Sequence, residues 1–138
     1  MMNIEIFKLL VDAGLFILIW IVQLVIYPGF CYYGESSIKK WHKSYTRRIT
    51  YVVMPLMVSQ LGVYGYLALS TSSLIYIIGW MLTIVTWLIT FIQAIPLHRD
   101  IDMLPDSLPA RKKLVSVNWS RTVIWTLILI TSILSYGK

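Results

Sequence analysis

Charge is what this chain has least of. Only 13% of its residues carry one, against 58% that are hydrophobic, and the mean hydropathy is +0.74. That balance excludes an ordinary soluble domain, which carries about 25% charged residues. Cysteine is nearly absent as well. Cys31 stands alone, so no internal disulfide can form, and the thiol is read as structural or merely exposed. The chain has no internal repeat, no low-complexity run, no glycine loop able to cradle phosphate and no paired cysteines at metal-ligand spacing. The first apolar run lacks a basic leader and a small-residue cleavage site, so it is expected to remain as a membrane span rather than leave as a signal peptide.

Long apolar runs are what the chain has instead. A hydrocarbon core of about 30 Å needs roughly 20 apolar residues per helical crossing, and such runs occur at 4–27, 49–69, 74–95 and 118–136. The expected fold is all-α: an integral membrane four-helix bundle, antiparallel, in one domain. Residues 70–73 form an uncharged turn too short for anything but a hairpin between the second and third spans. Gly62 and Gly65 would allow a close crossing there. Pro55, inside the second span, predicts a kink that widens the bundle. Gln60 is expected to bond to a neighbouring helix, and Asp12 to lie near enough to the outer headgroups to stay hydrated.

Two polar connectors, 28–48 and 96–117, separate these runs. In the first, Ile38, Trp41, Tyr45 and Ile49 recur at steps of three, four and four, opposite Lys39, Lys40, Lys43 and Arg47. This pattern predicts a short interfacial amphipathic helix over 36–47, with His42 at its edge touching headgroups or water. In the second, Ser107 followed by Pro109 marks the start of the last helix.

The formal charge is +6, and ten of the twelve basic residues lie in or beside the connectors, leaving Lys8 and Lys138 at the opposite ends. The positive-inside rule then predicts cytoplasmic connectors and external termini, which in a bacterium means the cytoplasmic (inner) membrane. The basic residues flank apolar runs rather than forming a soluble face, so the expected partners are anionic lipid headgroups and not nucleic acid.

The polar residues inside the spans are not scattered. Thr83, Thr86, Thr90 and Gln93 recur at three, four and three, which predicts one stripe facing protein; Pro96 follows, then His98 and Arg99. Threading the spans puts Gln23, Gln93, Asn118, Arg121 and Thr122 at similar depth near the connector end, with His42 and His98 just beyond. Polar groups are costly inside a membrane, so their convergence predicts a pocket. Interhelical glue is the competing reading, and snorkelling to phosphate headgroups competes for Arg121.

The segments VIYPGF, RRITYVVMPLM, QAIPLH and NWSRTVIW together resemble the small four-helix membrane proteins of the anthrone-oxygenase-like family. The similarity lies in a His after the third span and an Asn-x-x-Arg-Thr opening to the fourth. The resemblance implies oxidation of a polycyclic anthrone by molecular oxygen without a metal or other cofactor. It would make His98 the proton acceptor, and Asn118 and Arg121 the partners of the enolate oxygen. A flat hydrophobic small molecule would enter from the lipid and stack on Trp87, Trp119 and Trp125. Gln23, Thr90, Gln93 and Thr122 would complete the ligand site.

The chain is more distantly similar to the four-helix membrane protoporphyrinogen oxidases. It departs from them in having no histidine in the first span and in having Trp119, not an acidic residue, after Asn118. Haem or a soft metal between His42 and His98, with Met54 or Met57 below, is one alternative. Another is an accessory subunit whose polar stripe seals against an oligomeric partner.

Overall fold

The computed structural model describes residues 3–136, and within them the chain is helical almost throughout. Four helices follow one another: α1 (Ile4–Phe30), α2 (Glu35–Thr71), α3 (Leu74–Met103) and α4 (Leu108–Ser135). Each is long and apolar enough to cross a membrane. α1 and α3 each pack against both α2 and α4.

The ends have identifiable causes. Asn3 caps α1 by accepting the Glu5 amide proton at 3.1 Å. Ser72, in the left-handed region at φ 53°, closes α2 while its N–H bonds back to Ala68. Pro109 opens α4 as the sequence predicts.

Several expectations need correction. The true links are short, at 31–34, 72–73 and 104–107, because the helices continue well past the apolar runs that announce them. No separate amphipathic helix occupies 36–47. That segment is the first part of α2, which runs unbroken through Pro55. Its buried face keeps Ile38 and Tyr45 of the expected stripe but not Trp41, which is 42% exposed; His42, fully buried, takes that place. Both registers fit a helical stripe, and packing against α3 selects the second. Asp12 is buried too. Its carboxylate accepts from Gln60 Nε2 at 2.7 Å and from the Tyr64 hydroxyl at 2.8 Å.

Of the two predicted glycines only Gly65 makes a close crossing, where a Cβ would lie 3.2 Å from Trp80 Nε1 of α3. Gly62 faces open space, while a Cβ on Gly79 would lie 2.2 Å from the Tyr64 ring. Gly79 is therefore what lets Tyr64 cross α3 and reach Asp12.

Side-chain bonds fasten both ends of the bundle. At one, Lys8 is buried and bonds Ser135 and Glu5, both at 2.9 Å, while Tyr76 donates to Glu5. At the other, Arg111 donates to the carbonyls of Phe30 and Tyr33 at 2.8 Å and pairs with Glu35, which also accepts from Ser107. Between these ends lie two apolar clusters. One gathers Tyr27, Phe30, Ile38, Tyr45, Leu97 and Leu114; the other gathers Leu15, Ile19, Met57, Tyr64, Trp125 and Ile128. The candidate site occupies the seam between them.

Candidate functional site

Two prolines shape this seam. Pro28 and Pro96 have no N–H to donate, and each ring conflicts with the carbonyl four residues earlier. In both helices the backbone responds with a wider π-turn ending two residues before the proline, at Val22–Ile26 in α1 and Thr90–Ala94 in α3. One extra residue per turn rotates everything beyond it by about 100°.

That rotation overturns the placing of Gln93. It is exposed, and Ala94, 3% exposed, takes the inward position. Thr83 and Thr86 of the threonine stripe are buried and Thr90 is half-buried, and all three are satisfied by their own helix: Thr83 donates to Gly79 O, Thr86 to Thr83 O and Thr90 to Thr86 O. Thr90 lines the cavity described below with its hydroxyl already committed.

Beyond the two π-turns, Tyr27 and His98 meet. The Tyr27 hydroxyl lies 3.0 Å from His98 Nε2, His98 Nδ1 lies 2.8 Å from His42 Nε2, and His42 Nδ1 lies 2.8 Å from Asp102 Oδ1. The two imidazole centroids are 5.0 Å apart, so the rings meet edge to edge through their nitrogens. With both imidazoles neutral and Asp102 ionised, the pattern assigns every proton. A carboxylate oxygen accepts, so His42 Nδ1–H donates; His42 Nε2 then accepts from His98 Nδ1–H, and His98 Nε2 accepts from the Tyr27 hydroxyl. All four ring nitrogens are thereby used, and in this arrangement neither histidine offers one to haem or a metal ion.

A cavity of about 270 Å³ opens beside this chain of bonds. Tyr27, Tyr45, His98, Arg121 and Trp125 share its wall with apolar side chains such as Ile19, Val53 and Met57. Arg121 is the unusual member. It is 6% exposed, its Nη1 donates to Asn118 Oδ1 at 3.2 Å, and among the described residues its Nε–H has no acceptor. Among the described residues no carboxylate pairs with it. Snorkelling does not describe this side chain. A buried cation whose neighbours are a neutral amide and the Trp125 ring is a strong site for an acceptor oxygen or anion.

Behind Arg121 the remaining predicted residues form its support. Asn118 Nδ2 donates to Gln23 Oε1 at 2.9 Å, Thr122 Oγ1 reaches the same oxygen at 3.4 Å, and Gln23 Nε2 donates to Val115 O at 3.2 Å. Asn118, Gln23 and Thr122 are therefore buried together but do not line the cavity. Trp87 does not line it either: it stacks on Phe91 with ring centroids 5.6 Å apart. Trp119 is exposed, with its ring edge-on to Trp20.

Four participants are missing from the predicted set. Tyr27 reads as an interfacial anchor, although it shares a face with Gln23. His42 falls at steps of four and three from Ile38 and Tyr45, but Trp41 competes for the same face. Asp102 lies one turn after His98. Tyr45 is singled out only as part of an apolar stripe, not as a site residue.

No family model, curated protein or solved structure matches the chain.

Proposed function

We propose that this is an integral membrane protein of four antiparallel spans whose cavity binds a flat, hydrophobic molecule carrying an acidic hydroxyl or enolisable carbonyl, with that oxygen at Arg121. Arg121 carries the reading: a buried guanidinium with an unused N–H, on the wall of an otherwise mostly apolar space, is complementary to an oxygen on an aromatic body. The exposed Thr50 and Met54 of α2 and Ile95 of α3 lie on the cavity wall and support lateral entry between α2 and α3.

The resemblance to anthrone-oxygenase-like proteins suggests a reaction for such a site. A ring CH₂ is oxidised by dioxygen to a carbonyl with loss of water, after the CH₂ gives up a proton. In that reading the acceptor is the Tyr27–His98 pair, Arg121 holds the enolate oxygen, and Asn118 positions Arg121. The ten basic residues at the connector end support a cytoplasmic placing of that end in a bacterial inner membrane, near anionic headgroups. Lys138, on which the other end of that count partly depends, lies outside the described residues.

Anthrone itself is the test probe. In lipid nanodiscs it should quench tryptophan emission saturably, and Arg121→Gln should weaken binding about tenfold or more, the worth of a charge-assisted bond. Absence of saturable quenching, or equal affinity in the variant, sinks the reading.

One observation favours the accessory-subunit alternative. Gln93 points outward among exposed Phe91, Ile92 and Ile95, and an amide in that setting gains from a partner helix. A protein that purifies alone as a single stable species would count against it.

A further inference from the structure

We infer that Asp102, His42, His98 and Tyr27 form a proton relay joining the surface at the connector end to the buried cavity. This rests on the ligand reading above, since it says where a proton released in the cavity would go. His98 and Asp102 are four residues apart on α3, so they stack one turn apart on the same face. His42 enters between them from α2, and its two ring nitrogens bridge the gap, one to each neighbour, at 2.8 Å.

A histidine needing only to be satisfied in a bundle interior could stop at Asp102. This one continues to a second imidazole, and from there to a phenol on the cavity wall. Each of the three inner groups can both donate and accept, which is the requirement for passing a proton on. The relay is also insulated. His42 is fully buried, with the Phe30 ring edge-on at 5.4 Å and Tyr45 beside it, whereas the Asp102 side chain remains 24% exposed. Its far end therefore meets water and its near end does not require it.

The transfer balances. A ligand X–H gives its proton to the Tyr27 oxygen, while the Tyr27 O–H proton passes to His98 Nε2. The His98 Nδ1 proton passes to His42 Nε2, and the His42 Nδ1 proton passes to Asp102 Oδ1. One bond forms for each that breaks, no electrons move between groups, and the ligand is left as an anion against the Arg121 guanidinium. Asp102 releases the proton to the surface. Both imidazoles then carry their protons on Nε2, and rotation of the rings or a returning proton restores the starting pattern. Arg121 and the relay thus divide the work: one holds the charge that deprotonation creates, and the other removes the proton.

The test needs no ligand, so its failure is distinct from failure of anthrone binding. Protein labelled with ¹⁵N at histidine, in lipid nanodiscs, should show both imidazoles protonated on Nδ1 with Nε2 bare. The Nδ1 proton of His98 should exchange with deuterated water at least tenfold more slowly in Asp102→Asn, whose amide occupies the same space but does not shuttle protons. Amide exchange in α2 and α3 should be unchanged. A wild-type His42 or His98 protonated on Nε2 alone would overturn the relay, with no variant required. So would His98 exchange that is indifferent to Asp102→Asn, because the proton would then be reaching the ring from the cavity side.

Discussion

The guanidinium carbon of Arg121 lies 5.0 Å from the centroid of the Trp125 ring, one turn further along α4. Trp125 donates its indole N–H to Gln60 Oε1 at 3.1 Å, and Gln60 donates to Asp12 at 2.7 Å. The buried cation and the buried carboxylate are thus connected through neutral groups, without being paired. Arg121 keeps its charge available to the cavity, because Asp12 is engaged by Gln60 and Tyr64 instead.

Trp125→Phe separates the two roles of that indole. A phenyl ring still presents a face to Arg121, but Gln60 Oε1 loses its donor while remaining buried, which costs about 1–3 kcal/mol. Unfolding titrations in mixed detergent should therefore show a destabilised bundle, with anthrone affinity reduced by less than in Arg121→Gln. Stability equal to wild type would mean that the Gln60 contact contributes nothing.

Gly79 and Gly62 make a matched pair. Alanine at 79 would meet the Tyr64 ring at 2.2 Å and displace it from Asp12. That combines overpacking with a lost bond to a buried carboxylate, together about 2–4 kcal/mol. Alanine at 62 meets nothing and removes a glycine from a helix interior, so it should be neutral or stabilising by up to about 1 kcal/mol. Equal effects at the two positions in the same unfolding assay would contradict the crossing described here.

Orientation is accessible to cysteine labelling in a Cys31→Ser background. Ser36 and Asp106 are exposed near the two connectors, whereas Ser107 is buried and bonded to Glu35, so a cysteine there would report the loss of that bond rather than orientation. Cysteines at 36 and 106 should resist an impermeant thiol reagent added to intact cells and react after permeabilisation. Reaction before permeabilisation would place the connector end outside.

The helices were the most legible feature, because an apolar run of about 20 residues has few other uses. The convergence of Gln23, Asn118, Arg121 and Thr122 was legible as well, for helical spacing and depth suffice to bring them together. Gln93 was not, since the rule that places it assumes an unbroken 3.6-residue period and the π-turn before Pro96 breaks it. Nor was Arg111. Its neighbours Lys112 and Lys113 are exposed as a basic connector suggests, while Arg111 itself is 2% exposed and bonds carbonyls contributed by residues about 80 positions earlier. His42 illustrates the same limit. A stripe of apolar residues leaves a choice of registers, and only the neighbouring helix decides whether a tryptophan or a histidine turns inward.

The fastening of both bundle ends by α4 bears on how the chain is made. During synthesis Lys8, Glu35 and the carbonyl of Phe30 are made well before their partners Ser135 and Arg111. A chain without α4 holds Lys8 with Glu5 alone and Glu35 without Arg111. Docking of the last helix supplies Ser135 at one end and Arg111 at the other, and so closes both ends of the bundle together. A product lacking α4 leaves both bundle ends unfastened, with the Phe30 carbonyl and the Glu35 carboxylate deprived of Arg111.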